Sequence, residues 1–224
     1  MIDLIPPFAT DPAGLAESRA LFAEIPLGDL PEGVTRTELS LPGLDGAPEV
    51  RALLYRPEGS PPDRAILAFH GGGYVMGKPE MNDARNAALA AKLGCVVLAV
   101  AYRLAPENPY PAALDDALAA WRYLASGGAE IVLLGESAGA GLAAALSHRL
   151  RDSGERLPRF QALLYPMLDP RSAEEGVTAA HLGEFVWTRA NNGFAWGCYL
   201  AQPRPKPPPR VRPSRSPACR PASS

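Results

Sequence analysis

The stretch Glu130–Gly139, EIVLLGESAG, decides the fold of this 224-residue chain. Its first half, Glu130–Leu134, is short, mostly apolar and β-branched, which predicts a buried strand. After it, leucines recur at helical spacing at positions 142, 146 and 150 and predict a helix. The sequence therefore predicts a strand and a helix joined by the five residues Gly-Glu-Ser-Ala-Gly.

A G-x-S-x-G motif between a strand and a helix is the context of a nucleophile elbow, a sharp turn that lifts the hydroxyl of Ser137 clear of the backbone. Gly135 and Gly139 suit this turn because a Cβ at either position would collide with the neighbouring strand or helix. The alternative is a glycine-rich strand-to-helix turn that carries an ordinary serine. The strand-turn-helix context and a second motif favour the elbow.

The second motif is His70–Tyr74, HGGGY, directly after an apolar run over 65–69 that predicts a strand buried on both faces. Three consecutive glycines allow the backbone to turn its N–H groups toward a bound carbonyl oxygen. Together with the N–H of Ala138, the residue after the serine, they would form an oxyanion hole. We interpret His70 as the residue that orients this loop, and a role as a base is the alternative.

The order of predicted elements gives the fold class. Two strands come first and suggest a hairpin, and a regular β-α-β-α-β-α-β alternation follows. This pattern predicts an α/β protein with a mostly parallel, doubly wound sheet. The predicted strands cover 35–41, 50–56, 65–69, 95–100, 130–134 and 160–165, and the helices between them cover 81–93, 112–124 and 138–150.

Composition predicts a globular chain without a nucleic-acid surface. The chain is 47% hydrophobic and has a net charge of −2. Its first residues lack the features of a signal peptide, no apolar run is long enough for a membrane span, and three widely spaced cysteines imply no disulfide framework. We therefore expect a cytoplasmic protein.

Three regions are predicted along the chain. Residues 1–30 would form an N-terminal helical cap region, and 31–202 would form the α/β core with a partial cap at about 170–200. Residues 203–224 contain eight prolines, six basic residues and no acidic residue. Such a segment cannot bury enough apolar surface to offset the entropy of ordering, so we expect disorder there.

The two motifs together resemble the hormone-sensitive lipase family of α/β-hydrolases, which includes the bacterial type IV esterases. The blocks Tyr102–Glu107, YRLAPE, and Pro109–Asp116, PYPAALDD, are similar to the segment that links the two motifs in that family. The resemblance covers roughly residues 30 to 200. Within the second block, Asp115 and Asp116 open a helix, and we interpret both as structural.

The resemblance implies an α/β-hydrolase fold and a hydrolase of short- to medium-chain acyl esters that uses no metal and no cofactor. It implies that Ser137 is the nucleophile and that Gly72, Gly73 and Ala138 donate to the oxyanion. Gly71 would shape the glycine loop. Two differences from the family pattern are mild: Glu136 stands where Asp is more common, and Ala140 replaces a usual glycine. The N-terminal helix and residues 185–196 would cover the acyl pocket.

The main difference from the family pattern concerns the acid and the histidine that act with the serine in that family. In the family the acid follows the elbow by about a hundred residues and the histidine lies further on, but this chain ends 87 residues after Ser137. A change of reading frame near Gln202 would explain the abrupt proline-rich tail. The sheet would then be incomplete on its C-terminal side. Asp169 and His181 preserve the order Ser, Asp, His and are the substitute candidates, whereas His148 is expected on the helix surface.

The sequence leaves two functions open. The first is a carboxylic ester hydrolase that is impaired because its triad is incomplete. The second is a non-catalytic protein that binds a small molecule or another protein on the same fold. The expected partner of the hydrolase is a small apolar acyl ester substrate, and a homo-oligomer is left open because an incomplete sheet exposes an edge.

Overall fold

A computed structural model describes residues 8, 11–59, 61, 63–174 and 186–201. Within these residues, one sheet has the strand order β1-β2-β4-β3-β5-β6. β2 pairs antiparallel with both β1 and β4, and the remaining neighbours are parallel. The strands are β1 Val34–Leu41, β2 Val50–Pro57, β3 Arg64–Phe69, β4 Val96–Val100, β5 Glu130–Glu136 and β6 Phe160–Leu164.

Helices alternate with the parallel strands, as the sequence predicts. The α/β class with a mostly parallel sheet is confirmed, and so is the initial antiparallel hairpin of β1 and β2. The helices are α1 Pro12–Ala23, α2 Asp83–Leu93, α3 Ala112–Ser126, α4 Ala138–Asp152 and α5 Arg189–Tyr199. Single 3-10 turns lie at Leu44–Gly46, Pro79–Asn82 and Pro170–Ala173.

Apolar side chains cover both faces of the central strands, because neighbouring residues of a strand point to opposite faces. On one face α3 and α4 pack through Trp121, Leu142 and Leu146 against Leu67 and Leu133. On the other face α2 packs through its alanines against a second buried cluster. Because both faces of the central strands are buried, their sequences are continuous apolar runs, and such runs predict buried strands.

The first turn of α2 is fixed to the initial hairpin by a buried carboxylate. Asp83 accepts hydrogen bonds from the hydroxyl of Tyr55 at 2.7 Å and from the guanidinium of Arg36 at 2.7 Å. The backbone N–H of Gly28 donates to the same carboxylate at 2.8 Å. Several donors satisfy this buried carboxylate, so the cluster holds the start of α2 in one place.

The N-terminal helix α1 begins at Asp11, whose side chain accepts a hydrogen bond from the N–H of Gly14. Arg19 of this helix reaches the loop that follows β3, where its Nε donates to the carbonyl of Val75 at 2.7 Å. Its other nitrogens donate to the carbonyl of Ala105 and to the carboxylate of Glu107. The helix α1 is therefore attached to the segment between β3 and α2 and to the segment between β4 and α3.

β6 forms one edge of the described sheet, and β1 forms the other. The residues beyond Ala201, including the predicted tail at 203–224, lie outside the described residues. None of the described helices combines the length and the apolar character that crossing a membrane would require.

Candidate active site

Ser137 occupies the turn between β5 and α4 with a backbone conformation that a side chain rarely adopts. Its φ is 51° and its ψ is −118°, and it is the residue immediately before the first turn of α4. A positive φ at a non-glycine residue is costly and persists only where the surroundings enforce it. The turn projects the serine from the end of the strand instead of continuing either element.

The two flanking glycines explain how such a sharp turn fits. A Cβ built on Gly139 would lie 2.3 Å from the carbonyl oxygen of His70 and 2.4 Å from that of Phe69. A Cβ on Gly135 would lie 2.4 Å from the carbonyl oxygen of Gly139. The start of α4 therefore touches the end of β3 by backbone alone, which places Ser137 beside the glycine loop.

Backbone hydrogen bonds hold the serine from two further directions. The N–H of Ser137 donates to the carbonyl of Leu164 at the end of β6, at 2.9 Å. The carbonyl of Ser137 accepts from the N–H of Gly141 at 3.0 Å and from that of Met167 at 2.9 Å. Its hydroxyl has no hydrogen-bond partner among the described residues.

The glycine loop after β3 lies against this turn. A Cβ on Gly71 would be 3.6 Å from the Cβ of Ser137, so the two motifs are in contact. Gly72 and Gly73 have φ values of 117° and 63°, a region that favours glycine. Within the described part of the chain, no acceptor pairs with the backbone N–H of Gly72, Gly73 or Ala138.

His70 is buried beneath the glycine loop. Its ring stacks on Tyr102 with the ring centres 4.3 Å apart, and its Nδ1 lies 2.7 Å from the carbonyl oxygen of Gly71. A carbonyl only accepts, so Nδ1 carries the proton and donates. Burial lowers the pKa of His70 to about 4, which keeps the ring neutral. This environment favours the interpretation of His70 as a support for the loop over a role as base.

Glu136, immediately before the serine, is attached to the start of α2. Its carboxylate accepts from the side-chain amide of Asn82 at 2.7 Å and from the guanidinium of Arg85 at 2.8 Å. The Tyr165 hydroxyl donates to it at 3.4 Å. No sequence signal predicts these partners, because only the folded chain brings α2 to the end of β5.

Ser137 opens into a cavity of about 400 Å³, within the range of small-molecule sites. Trp187 closes it on the side of the glycine loop, where a Cβ on Gly73 would meet the indole ring at 2.4 Å. Apolar and polar residues both line the cavity: Tyr165, Pro166, Met167, Leu168 and Trp187, together with Ser137, Asp169, Ser172, Thr188, Arg189 and Asn192.

The helix α5, which begins two residues after Trp187, supports this side of the cavity. Thr188 caps the helix in a reciprocal arrangement with Asn191. Further along the helix, Tyr199 stacks on Tyr74 of the glycine loop with ring centres 4.0 Å apart. The family resemblance predicts a cap over the pocket at 185–196, but no sequence signal marks Trp187 or Asn192 as lining residues.

Of the two substitute triad candidates, the structure describes only Asp169. Asp169 lines the cavity, but its carboxylate caps a 3-10 turn and pairs with the guanidinium of Arg171 at 2.5 Å. This pairing lowers the pKa of Asp169 to about 2. His181 lies outside the described residues. His148 is exposed on α4, as expected. Within the described ranges, no three His, Cys, Asp or Glu side chains are grouped closely enough to hold a metal ion.

A serine on a strand-to-helix elbow of a mostly parallel sheet, beside a glycine loop, defines the α/β-hydrolase class. A family model described as the alpha/beta hydrolase fold matches residues 66–222. The chain belongs to this family and, within it, to the hormone-sensitive lipase family of esterases.

Two curated relatives show the level of similarity. Esterase LipI from Mycobacterium tuberculosis is 40% identical over 154 residues, which are 62% of this chain and 48% of that protein. Ethyl acetate hydrolase from Pseudomonas putida is 38% identical over 164 residues, 68% of this chain and 50% of that protein. The chain thus spans about half the length of the curated relatives it matches.

Solved structures give the same result for the fold. A bacterial heroin esterase superposes with a TM-score of 0.79 at 35% identity, covering 94% of this chain and 69% of that chain. An esterase of the bacterial hormone-sensitive lipase family superposes with a TM-score of 0.69 at 32% identity, covering 92% of this chain and 67% of that chain.

The close contact at Gly139 predicts a large loss of stability on substitution. Gly139→Ala should lower the free energy of unfolding by about 3 kcal/mol or more, because its Cβ would overlap two carbonyl oxygens of the β3 end. Gly127→Ala is the control, since Gly127 has a φ of −79° and a Cβ there has ordinary contacts. Urea unfolding followed by tryptophan fluorescence measures both, and equal effects would contradict this account.

The buried His70 predicts a pH dependence of stability. Its pKa in the folded protein is about 4, below its ordinary 6.5. At a pH between these two values, the unfolded chain binds a proton at this residue and the folded chain does not. The free energy of unfolding should therefore fall as the pH falls from 6.5 to 4, by up to about 1.4 kcal/mol per unit.

The variant His70→Asn isolates this contribution, because its amide can still donate to the carbonyl of Gly71 but does not titrate. It should be less stable at pH 7 yet lose less stability on acidification than the wild type. His148→Asn, at an exposed position, serves as the control and should keep the wild-type pH dependence. If the free energy of unfolding depends on pH in the same way in wild type and in His70→Asn, protonation of His70 is not the cause of the pH dependence.

Proposed function

We propose that this chain is a carboxylic ester hydrolase for short- to medium-chain acyl esters, with Ser137 as the nucleophile. The position of Ser137 carries the proposal, because its unpaired hydroxyl lies on the elbow and opens into the cavity. The names of the relatives, which include an ethyl acetate hydrolase and a carboxylesterase, support the reaction class.

The oxyanion would be stabilised by three backbone N–H groups, those of Gly72, Gly73 and Ala138. Two come from the glycine loop and one from the start of α4, where the helix dipole adds positive potential. Their freedom from other acceptors in the described structure supports this role. Donors fixed in advance act on the charge that develops in the transition state, and loss of one typically costs about 100-fold or more in rate.

In the first step, the Ser137 oxygen would attack the ester carbonyl while the carbonyl oxygen moves toward the three N–H groups. Collapse of the tetrahedral intermediate would release the alcohol and leave an acyl group on the serine, which water then removes. The serine proton must leave during the attack, and the departing alkoxide must receive a proton. Both transfers need a base within hydrogen-bond reach of the hydroxyl.

No described residue supplies that base. His70 is buried and faces the carbonyl of Gly71, and His148 is exposed on α4. Asp169 is paired with Arg171, and a triad of Ser137 with Asp169 and His181 is the less favoured alternative. We therefore propose that turnover by the chain as written is impaired.

The lining of the cavity supports a small apolar acyl ester as the ligand. Leu168, Met167 and Trp187 provide apolar surface next to Ser137, while Thr188 and Asn192 add polar groups. A cofactor plays no part in the proposed reaction. A cytoplasmic location and the three-region division at residues 30 and 202 remain predictions.

A second candidate is a protein that binds such a small molecule without converting it. The observation that favours it is a formed cavity whose serine hydroxyl has no partner among the described residues. In that case phenyl butyrate should raise the melting temperature without being consumed, and Ser137→Ala should retain the effect.

The activity prediction uses p-nitrophenyl acetate and butyrate. We expect feeble hydrolysis, because binding and oxyanion stabilisation alone leave roughly 1,000- to 10,000-fold acceleration over water, far below that of a full triad. Ser137→Ala should change this residual rate little, since an unactivated hydroxyl is a weak nucleophile. Asp169→Ala and His181→Ala should also be close to neutral.

The measurement is steady-state turnover by the purified 224-residue chain and these three variants, with circular dichroism to establish that each is folded. Robust turnover that both Ser137→Ala and His181→Ala abolish would contradict the proposed impairment. The triad of Ser137, Asp169 and His181 would then become the leading model.

A further inference from the structure

Arg19 on α1 is held in a fixed orientation against the segment that follows the glycine loop. Its Nε donates to the carbonyl of Val75 at 2.7 Å, and its Nη2 donates to the carbonyl of Ala105 at 2.8 Å. The carboxylate of Glu107 accepts from Nη1 at 2.7 Å and from Nη2 at 2.8 Å. Four of the five N–H donors of the guanidinium are therefore in use, which fixes its plane and the direction of Nε–H.

The segment after the glycine loop folds back on Gly72. The N–H of Met76 donates to the carbonyl of Gly72 at 3.0 Å, and the N–H of Val75 donates to the same carbonyl at 3.1 Å. A Cβ on Gly72 would lie 2.1 Å from the carbonyl oxygen of Met76, so the two residues approach each other by backbone alone. The carbonyl of Gly72 is therefore held by two donors of one tight turn.

Two peptide groups connect Arg19 to the N–H of Gly73. In a trans peptide group, the C=O of one residue and the N–H of the next point in opposite directions. The carbonyl of Val75 and the N–H of Met76 belong to one trans group, and the carbonyl of Gly72 and the N–H of Gly73 belong to another. The guanidinium and these two groups form one continuous chain of hydrogen bonds that ends at the Gly73 N–H.

Such a chain strengthens the donor at its end. A hydrogen bond accepted by the carbonyl of a peptide group polarises that group, so its N–H becomes a better donor to the next acceptor. This chain begins at a guanidinium, and hydrogen bonds from charged donors are stronger than neutral ones. It ends at the N–H of Gly73, for which no acceptor is present in the described part of the chain. The polarity of the chain is the one that a negatively charged acceptor requires.

We propose that Arg19 is a positioning residue of the oxyanion hole, which fixes and polarises the N–H of Gly73 through the peptide groups 75–76 and 72–73. The inference rests on the proposed function, because that function assigns this N–H to the oxyanion. Arg19 acts through the backbone and not by contact with the ester. Its effect grows as negative charge develops on the carbonyl oxygen, so it raises kcat more than it lowers KM.

Lys78 provides a control for the simpler role of attaching α1. Its Nζ donates to the carbonyl of Ala23 at the end of this helix, at 2.7 Å. It is therefore also a cationic side chain that joins α1 to the segment after the glycine loop, but it lies outside the chain of hydrogen bonds that leads to Gly73. If Arg19 only attached the helix, Arg19→Met and Lys78→Met would have similar effects. The proposal predicts an effect of Arg19→Met alone.

Amide hydrogen exchange, followed by NMR on the isotope-labelled 224-residue chain, tests the hydrogen bonds without a substrate. Arg19→Met should lower the protection of the Met76 amide at least about tenfold, because the turn loses a hydrogen bond from a charged group. Lys78→Met should change this protection by no more than about twofold, as at an ordinary surface site. An unchanged Met76 amide in Arg19→Met, or equal losses in the two variants, would overturn the proposal.

Hydrolysis of p-nitrophenyl acetate tests the link to the oxyanion. Arg19→Met should lower the residual kcat by about three- to tenfold with little change in KM, a smaller loss than the ~100-fold for a missing donor. Lys78→Met should keep the wild-type kcat, and a fall that both variants share would contradict the proposal. Arg19→Lys keeps the charge but not the fork of donors, and should give intermediate values if Arg19→Met does not fold.

The two measurements separate this inference from the proposed function. If the wild type hydrolyses the ester no faster than buffer does, the proposed function fails, and the Met76 amide alone decides whether Arg19 acts on the Gly73 peptide. If Arg19→Met loses protection at Met76 but keeps the full kcat of an active wild type, the chain of hydrogen bonds does not serve the oxyanion and the proposal is wrong.

Discussion

The site depends on one backbone contact, the approach of Gly139 to the carbonyl groups of Phe69 and His70 at the end of β3. Two motifs that are distant in the sequence meet at this contact. Because no side chain separates α4 from β3, the serine turn and the glycine loop are in direct contact. The strained φ of Ser137 is tolerated because the glycines, the end of β6 and Met167 together fix the turn.

Much of this arrangement was predictable because its causes are local. The strands β3, β4 and β5 are buried on both faces, so their sequences are continuous apolar runs. The glycines of the two motifs are imposed by close approach or by a positive φ, and only glycine meets both demands cheaply. The sequence therefore predicted the sheet, the strand-to-helix turn at Ser137 and the glycine loop from short stretches, whereas the role of His70 as a support for the loop stays a prediction.

The rest was not predictable because its causes are tertiary. Asn82 and Arg85 carry no motif, and their contact with Glu136 exists only because the hairpin holds Asp83 at the start of α2. A single charged residue before the serine gives no sign that two helical residues will bind it. Trp187 and Asn192 became lining residues through the docking of α5, and an ordinary short helix gives no sequence signal for where it will dock.

The geometry separates two parts of catalysis that usually occur together. Stabilising an oxyanion requires only fixed donors, and in the proposed site the backbone at Gly72, Gly73 and Ala138 would provide them without a titratable group. Removing the proton of the serine hydroxyl requires a base that reaches this hydroxyl and is not already engaged in other hydrogen bonds. The buried His70 uses its N–H to hold Gly71, and the carboxylate of Glu136 is occupied by Asn82 and Arg85. His70 and Glu136 are thus both engaged in hydrogen bonds. Converting either one into a base would remove such a contact, so the proposed hydrolysis calls for a base from a different part of the chain.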